Sequence, residues 1–153
     1  MTRQAETARG VLLFAAQMLL LAAIALACLH TNAWRIEVLG GLWQFVGALV
    51  LLLGLLEVVL GLASLGRIPN PLPCTPPSVI CQRGLYARIR HPLYGGLILL
   101  ALGASLYWRV PLALLFTCLL VMVLRAKARW EEKALVERFP EYAGYRSRTR
   151  LFW

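Results

Sequence analysis

Aspartate is absent from this 153-residue sequence, seven glutamates supply all of its acid, and histidine occurs only at His30 and His91. The four cysteines lack metal-site spacing: Cys28 and Cys118 lie inside apolar runs, and the interval from Cys74 to Cys81 fits no zinc knuckle. They read as thiols, and no metal centre is expected. Internal repeats are missing, and the only low-complexity tract is a proline run. Charge is also scarce. At 15% charged and 60% hydrophobic, with a mean hydropathy of +0.70, the chain is too apolar for an ordinary soluble domain. The net charge of +9 sits between apolar runs and in the tail, so the expected partner is the bilayer with its anionic headgroups, and not nucleic acid.

What is present is a set of apolar runs. Spans are expected at 11–29, 42–65, 92–107 and 110–129, with a linker at 66–91 and a tail at 130–153, all in one integral membrane domain. The fold class is therefore all-α: a polytopic helix bundle of about four spans with a cytoplasmic helical extension at the C-terminal end. The uncharged parts of the third and fourth spans fall short of the ~20 residues that cross the hydrocarbon fully. Ala25-Leu26-Ala27-Cys28 resembles a lipoprotein cleavage site, but it has Ala where Leu is usual and more membrane follows, so the first run reads as a span. Alternating spans place fourteen Arg and Lys on one side and two on the other, which puts both termini and the linker in the cytoplasm, in a bacterial inner membrane. Gly40, Gly47, Gly54 and Gly61 make a small-residue stripe along the second span, a seam for another helix or for a homodimer. Glu57 lies on that stripe. An intramembrane carboxylate is a functional candidate, here a possible proton acceptor, with a structural glutamate as the alternative.

The linker carries Pro69, Pro71, Pro73, Pro76 and Pro77, so it reads as extended. It ends in Arg83-Gly84-Leu85-Tyr86-Ala87-Arg88-Ile89-Arg90-His91-Pro92-Leu93-Tyr94-Gly95-Gly96, where a basic segment becomes apolar. Proline suits the first helical position and biases its predecessor out of the α region, so the spacing predicts His91 as cap and Pro92 as helix start. Open amides at Leu93, Tyr94 and Gly95, the helix dipole and Arg83, Arg88 and Arg90 together form an expected anion site. Gly95 and Gly96 leave room for a ligand or a second helix. A plain basic flank of a span accounts for the same residues more simply.

Beyond Leu124 the helical pattern continues to Phe139 and is stopped by Pro140. Leu124, Ala128, Leu135, Val136 and Phe139 fill an apolar arc of about 120°, and Glu132 lies inside it with Arg125 and Arg129 at helical spacing. An exposed Arg129–Glu132 pair is worth only ~0.2 to 0.5 kcal/mol, too little to hold a glutamate on the apolar side, so Glu132 is expected to face a partner elsewhere.

Two motifs in this order resemble the isoprenylcysteine carboxyl methyltransferase and phospholipid methyltransferase superfamily over about the C-terminal half. The first is Gly84, Tyr86, Arg90, His91, Pro92, Tyr94 and Gly96; the second is Glu131, Glu132, Leu135, Tyr142 and Tyr145. The resemblance implies that both motifs close over S-adenosylmethionine at the cytoplasmic face while a lipophilic methyl acceptor enters from the bilayer. It implies a cofactor site of Tyr86, Arg90, His91, Pro92, Tyr94, Gly95, Gly96, Glu131, Glu132, Tyr142 and Tyr145; Glu132, Arg129 and Glu57 are the catalytic candidates, the last two from the residue pattern alone. Pro140 stands where the family has Gly, and the prolines that follow the last basic run in the family are absent, which bears on how the tail closes. Sterol-reductase-type enzymes share Arg-His-Pro-x-Tyr but are much longer. A non-catalytic protein binding anionic lipid would need the basic clusters but not Glu132 in the arc.

Overall fold

The computed structural model describes residues 3–30, 37, 39–65 and 80–153. The proline-rich part of the linker, with Cys74, lies outside the described residues. Helix α1 is Arg3–His30, α2 Gly40–Leu65, α3 Pro92–Trp108, α4 Pro111–Arg138 and α5 Tyr142–Arg148, with one 3-10 turn at Gly84–Ala87. No strand occurs among the described residues, and the bundle is all-α as expected.

Three helices are long and apolar enough to cross a membrane: Thr7–His30, Gly40–Leu65 and Pro111–Arg138. Their outward faces carry Leu19, Phe45 and Leu52, each more than 60% exposed, which only a lipid solvent tolerates along whole helices. The shortness expected of two spans belongs to α3 alone, because α4 is continuous for 28 residues. At 1.5 Å per residue, α3 with its 17 residues spans about 25 Å against a hydrocarbon core of about 30 Å.

The hairpin between α3 and α4 turns on Arg109, a non-glycine residue at φ 60° and ψ 36°. Its amide donates to the carbonyls of Leu106 and Ser105, its guanidinium meets Glu37 at 2.9 Å, and Pro111 restarts the helix. Across the hairpin, Ser105 Oγ and Thr117 Oγ1 lie 3.1 Å apart, fully buried. Such an interhelical bond averages ~0.6 kcal/mol in a bilayer, so packing holds the bundle more than polar contacts do.

That packing is closest between α2 and α3. A Cβ on Gly54 would lie 2.8 Å from the Leu100 nitrogen, and one on Gly103 would lie 2.6 Å from the Leu51 nitrogen, so the backbones touch. Of the two uses the glycine stripe offered, a seam for another helix or for a homodimer, the first is met at Gly47, Gly54 and Gly61 by α3 of the same chain. Helix α1 runs antiparallel to α4 and completes a core of Ile24, Ala27 and Cys28 with Ile98, Ala101, Val110, Ala113, Leu120 and Leu124. Phe152, from the far end of the chain, is buried in this core too.

Candidate functional site at the start of helix α3

Pro92 stands at the first helical position with His91 as cap, as its chemistry dictates. Two of the three helix-start amides read as open, those of Tyr94 and Gly95, have partners. The Tyr94 and Gly95 amides donate to the His91 carbonyl at 3.1 Å, because a capping residue already presents its carbonyl to the first turn. The amides just before the helix are taken by the tail. Arg90 N donates to Arg150 O at 2.8 Å, His91 N to Leu151 O at 3.2 Å, and Arg150 N to Arg88 O at 2.9 Å, forming a parallel bridge of Ile89 with Arg150.

Helix α5 brings the tail into place. Tyr142 and Tyr145 are buried, with their rings edge-on at 5.6 Å, and the Tyr145 phenol donates to the Tyr86 carbonyl at 2.6 Å, pinning the 3-10 turn. Burial pushes the Tyr86 and Tyr145 phenols up to about 12 and the Tyr142 phenol higher still, so all three are neutral donors at physiological pH.

Glu132 turns inward from α4 and is 3% exposed. Its Oε1 accepts from Arg90 Nε at 2.5 Å and lies 3.4 Å from His91 Nε2, while its Oε2 lies 3.4 Å from Arg146 Nε. Arg90 Nη1 donates also to the Thr149 carbonyl and, at 3.0 Å, to the Arg146 carbonyl. The guanidinium is thus spent on binding α4 and the tail to α3. Arg90 and Glu132 form a clamp.

Beside the clamp lies a less saturated group. The Tyr94 phenol donates to Glu131 Oε1 at 2.7 Å, Glu131 Oε2 lies 3.8 Å from His91 Nδ1, and the His91 and Tyr94 rings stack at 5.2 Å and 9°. Glu131 keeps 21% of its side chain exposed, and His91 Nε2 is buried without a hydrogen bond. Beneath Tyr94 sits Lys127, 3% exposed, its Nζ 5.1 Å from the Tyr94 and Phe14 ring centres and 2.9 Å from Gln17 Oε1.

A family model for phospholipid methyltransferases matches residues 42–142, well over half of the chain. The chain belongs to the phospholipid methyltransferase family. It is an integral membrane protein of a methyltransferase family, and both sequence motifs fall inside or at the edge of the matched segment. Neither the curated proteins nor the solved structures give a match.

Not every residue singled out in the sequence of this methyltransferase reaches the site. Arg129 is exposed and makes no ion pair among the described residues, because Glu132 points to α3 and not along its own helix. Gly95 and Gly96 are closed by α2: a Cβ on Gly95 would lie 2.6 Å from Glu57 Oε1, and one on Gly96 would lie 2.6 Å from Val58 Cγ2. Of the two uses open to these glycines, they serve the second helix. Glu57 accepts from Trp153 Nε1 at 2.9 Å and touches no member of the clamp. Lys127, Gln17, Arg146 and Thr149 were missed. Gln17 is the lone polar residue in an apolar run and Lys127 lies one turn before Glu131, signals that pointed to burial without naming the partner.

Proposed function

We propose that this protein transfers a methyl group from S-adenosylmethionine to a lipophilic acceptor at the cytoplasmic face of the membrane, with both termini on that side. The observation that supports it most is the convergence of the two motifs: His91 and Tyr94 from α3 meet Glu131 and Glu132 from α4 at one end of the bundle.

The residues present fit the cofactor. It carries an ammonium, a sulfonium and a carboxylate, and the site offers a half-buried carboxylate, stacked ring faces and a largely exposed guanidinium. Glu131 would hold the ammonium, Tyr94 with His91 the sulfonium side, and Arg146, 55% exposed, the carboxylate. His91 Nδ1 lies on the Glu131 side, while Nε2 faces Glu132 Oε1 at 3.4 Å. When bound, the cofactor supplies an electrophilic methyl on sulfur.

The chain's own work is positioning and exclusion of water. In-line displacement needs the nucleophile within about 3 to 3.5 Å of the methyl, and such alignment alone contributes on the order of 7 to 11 kcal/mol. The Arg90–Glu132 clamp fixes the α3 start against α4, so Glu131 and Tyr94 keep one geometry. Tail residues 149–151 cover the backbone of 88–91 and keep water from it. The acceptor reaches the site from the bilayer, whose side is lined by apolar α1 and α4.

The test is transfer of labelled methyl from S-adenosylmethionine into organic-extractable product by membranes containing the wild-type chain. Glu131→Gln is expected to lose most of this transfer while accumulating normally. Equal labelling in membranes with and without the protein, across lipid and small-molecule acceptors, would remove the proposal.

A further inference from the structure

The parallel bridge that closes the tail has a second consequence on its outer side. It pairs Ile89 with Arg150, whose amide donates to the Arg88 carbonyl, and Arg88, Arg150 and Arg148, two residues before Arg150, surround an open cleft of about 360 Å³ lined also by Ile89 and Trp153. No acidic side chain lines this cleft among the described residues. Arg88 and Arg150 are exposed and form no ion pair among the described residues, and Arg148 donates only to the neutral Gln82 amide, at 2.7 Å. Three guanidinium groups around one cleft repel one another, so this arrangement favours an anion between them. None of the lining residues belongs to the clamp or to the Glu131 group.

The other wall decides what kind of anion. Trp153 is 53% exposed, and its indole N–H is fixed to Glu57, about two turns inside the end of α2, so the ring stands where an apolar helix face meets the basic surface. An amphipathic ring at that depth, with Ile89 beside it, suits the glycerol and first acyl carbons of a lipid, not a hydrated ion. We propose that this cleft binds the phosphate group of an anionic glycerophospholipid, with Arg88 and Arg150 as the phosphate ligands and Trp153 against the glycerol end. Guanidinium forks match phosphate oxygens in pairs, which makes the site selective over zwitterionic lipid whose own ammonium the three arginines repel. The bound lipid would brace the tail segment whose backbone holds Arg90 and His91. This site stands independently of methyl transfer.

The experiment reconstitutes the full chain in nanodiscs of equimolar phosphatidylglycerol and phosphatidylcholine, extracts it in detergent, and measures retained lipid by native mass spectrometry. Wild type is expected to retain phosphatidylglycerol selectively. Arg88→Gln with Arg150→Gln should reduce that retention by about fivefold for each arginine removed. Arg125→Gln with Arg138→Gln removes the same charge outside the cleft and should leave retention unchanged. Equal loss in both double variants would overturn the site in favour of diffuse attraction. So would thermal protection by inorganic phosphate equal to that by phosphatidylglycerol, which would mark a soluble-phosphate site, or displacement of the lipid by S-adenosylhomocysteine, which would assign the cleft to the cofactor. A wild-type measurement guards against a variant that fails to fold. Phosphatidylglycerol with brominated acyl chains should quench tryptophan emission more than brominated phosphatidylcholine, with the excess lost in Trp153→Phe; identical quenching by the two lipids contradicts the proposal.

Discussion

Replacing Glu132 with glutamine removes one charge from a position that is 3% exposed and leaves Arg90, only 10% exposed, with neutral partners. Breaking a buried ion pair from one side typically costs about 3 to 5 kcal/mol. The cost here falls below that range, at about 2 to 3 kcal/mol, because Arg90 keeps the carbonyls of Arg146 and Thr149 and glutamine can still accept a hydrogen bond. That loosens closure of the tail by roughly thirty- to 150-fold at about 1.4 kcal/mol per tenfold. Limited trypsin digestion reads this directly, since Arg148 and Arg150 lie within the clamped segment. Cleavage there should accelerate in Glu132→Gln and stay at the wild-type rate in Glu137→Gln, which removes a carboxylate from the exposed face of the same helix. Arg90→Lys should behave like Glu132→Gln despite keeping the charge, because one ammonium cannot reach Glu132 and both tail carbonyls as the Nε and Nη1 fork does. The double variant Arg90→Gln, Glu132→Gln should cost less than the sum of the singles, since no unpaired charge remains. Equal digestion of Glu132→Gln and Glu137→Gln, or strict additivity, would refute the clamp.

Three further outcomes follow from the same geometry. Gly54→Leu should destabilise the α2–α3 pair by about 1 to 3 kcal/mol or more, whereas Gly41→Leu, with nothing within 4 Å of its Cβ position, should leave detergent melting unchanged. The Tyr86 and Tyr145 phenols lie at about 12 against an ordinary 10, so the stability they contribute is complete below pH 10 and is lost as pH rises toward 12. Alkaline titration of melting temperature should show that loss, and Tyr145→Phe, lacking the donor to Tyr86, should flatten it. Reporter fusions after Trp34 and Trp108 should report outside and one after Trp153 inside; a C-terminal fusion reporting outside contradicts the proposed orientation.

The two motifs were legible because each is local. Pro92 writes its own helix start, and Glu132 betrays its inward orientation by lying among Leu124, Ala128 and Leu135 on one arc. What remained hidden depends on contacts far apart in the chain. Nothing near His91 shows that the Arg150 and Leu151 carbonyls will arrive to take the Arg90 and His91 amides just before the helix. For the same reason Arg90 looked available to a ligand. The glycine period was visible along α2, but a period does not name its partner, and α3 of the same chain fills it. Lys127 carries no local signal of its partner. Only the packing of α1 against α4 reveals that Gln17 meets it at 2.9 Å.

Equilibrium binding of labelled S-adenosylmethionine to the purified chain tests most directly whether the paired motifs form a cofactor site. Wild type and Glu137→Gln should bind alike. Glu131→Gln, which loses a charge-assisted partner worth about 1.5 to 3 kcal/mol, should bind at least about tenfold more weakly while its melting temperature stays near that of wild type. Absence of binding by the wild type, or equal affinity in Glu131→Gln and Glu137→Gln, would contradict the site.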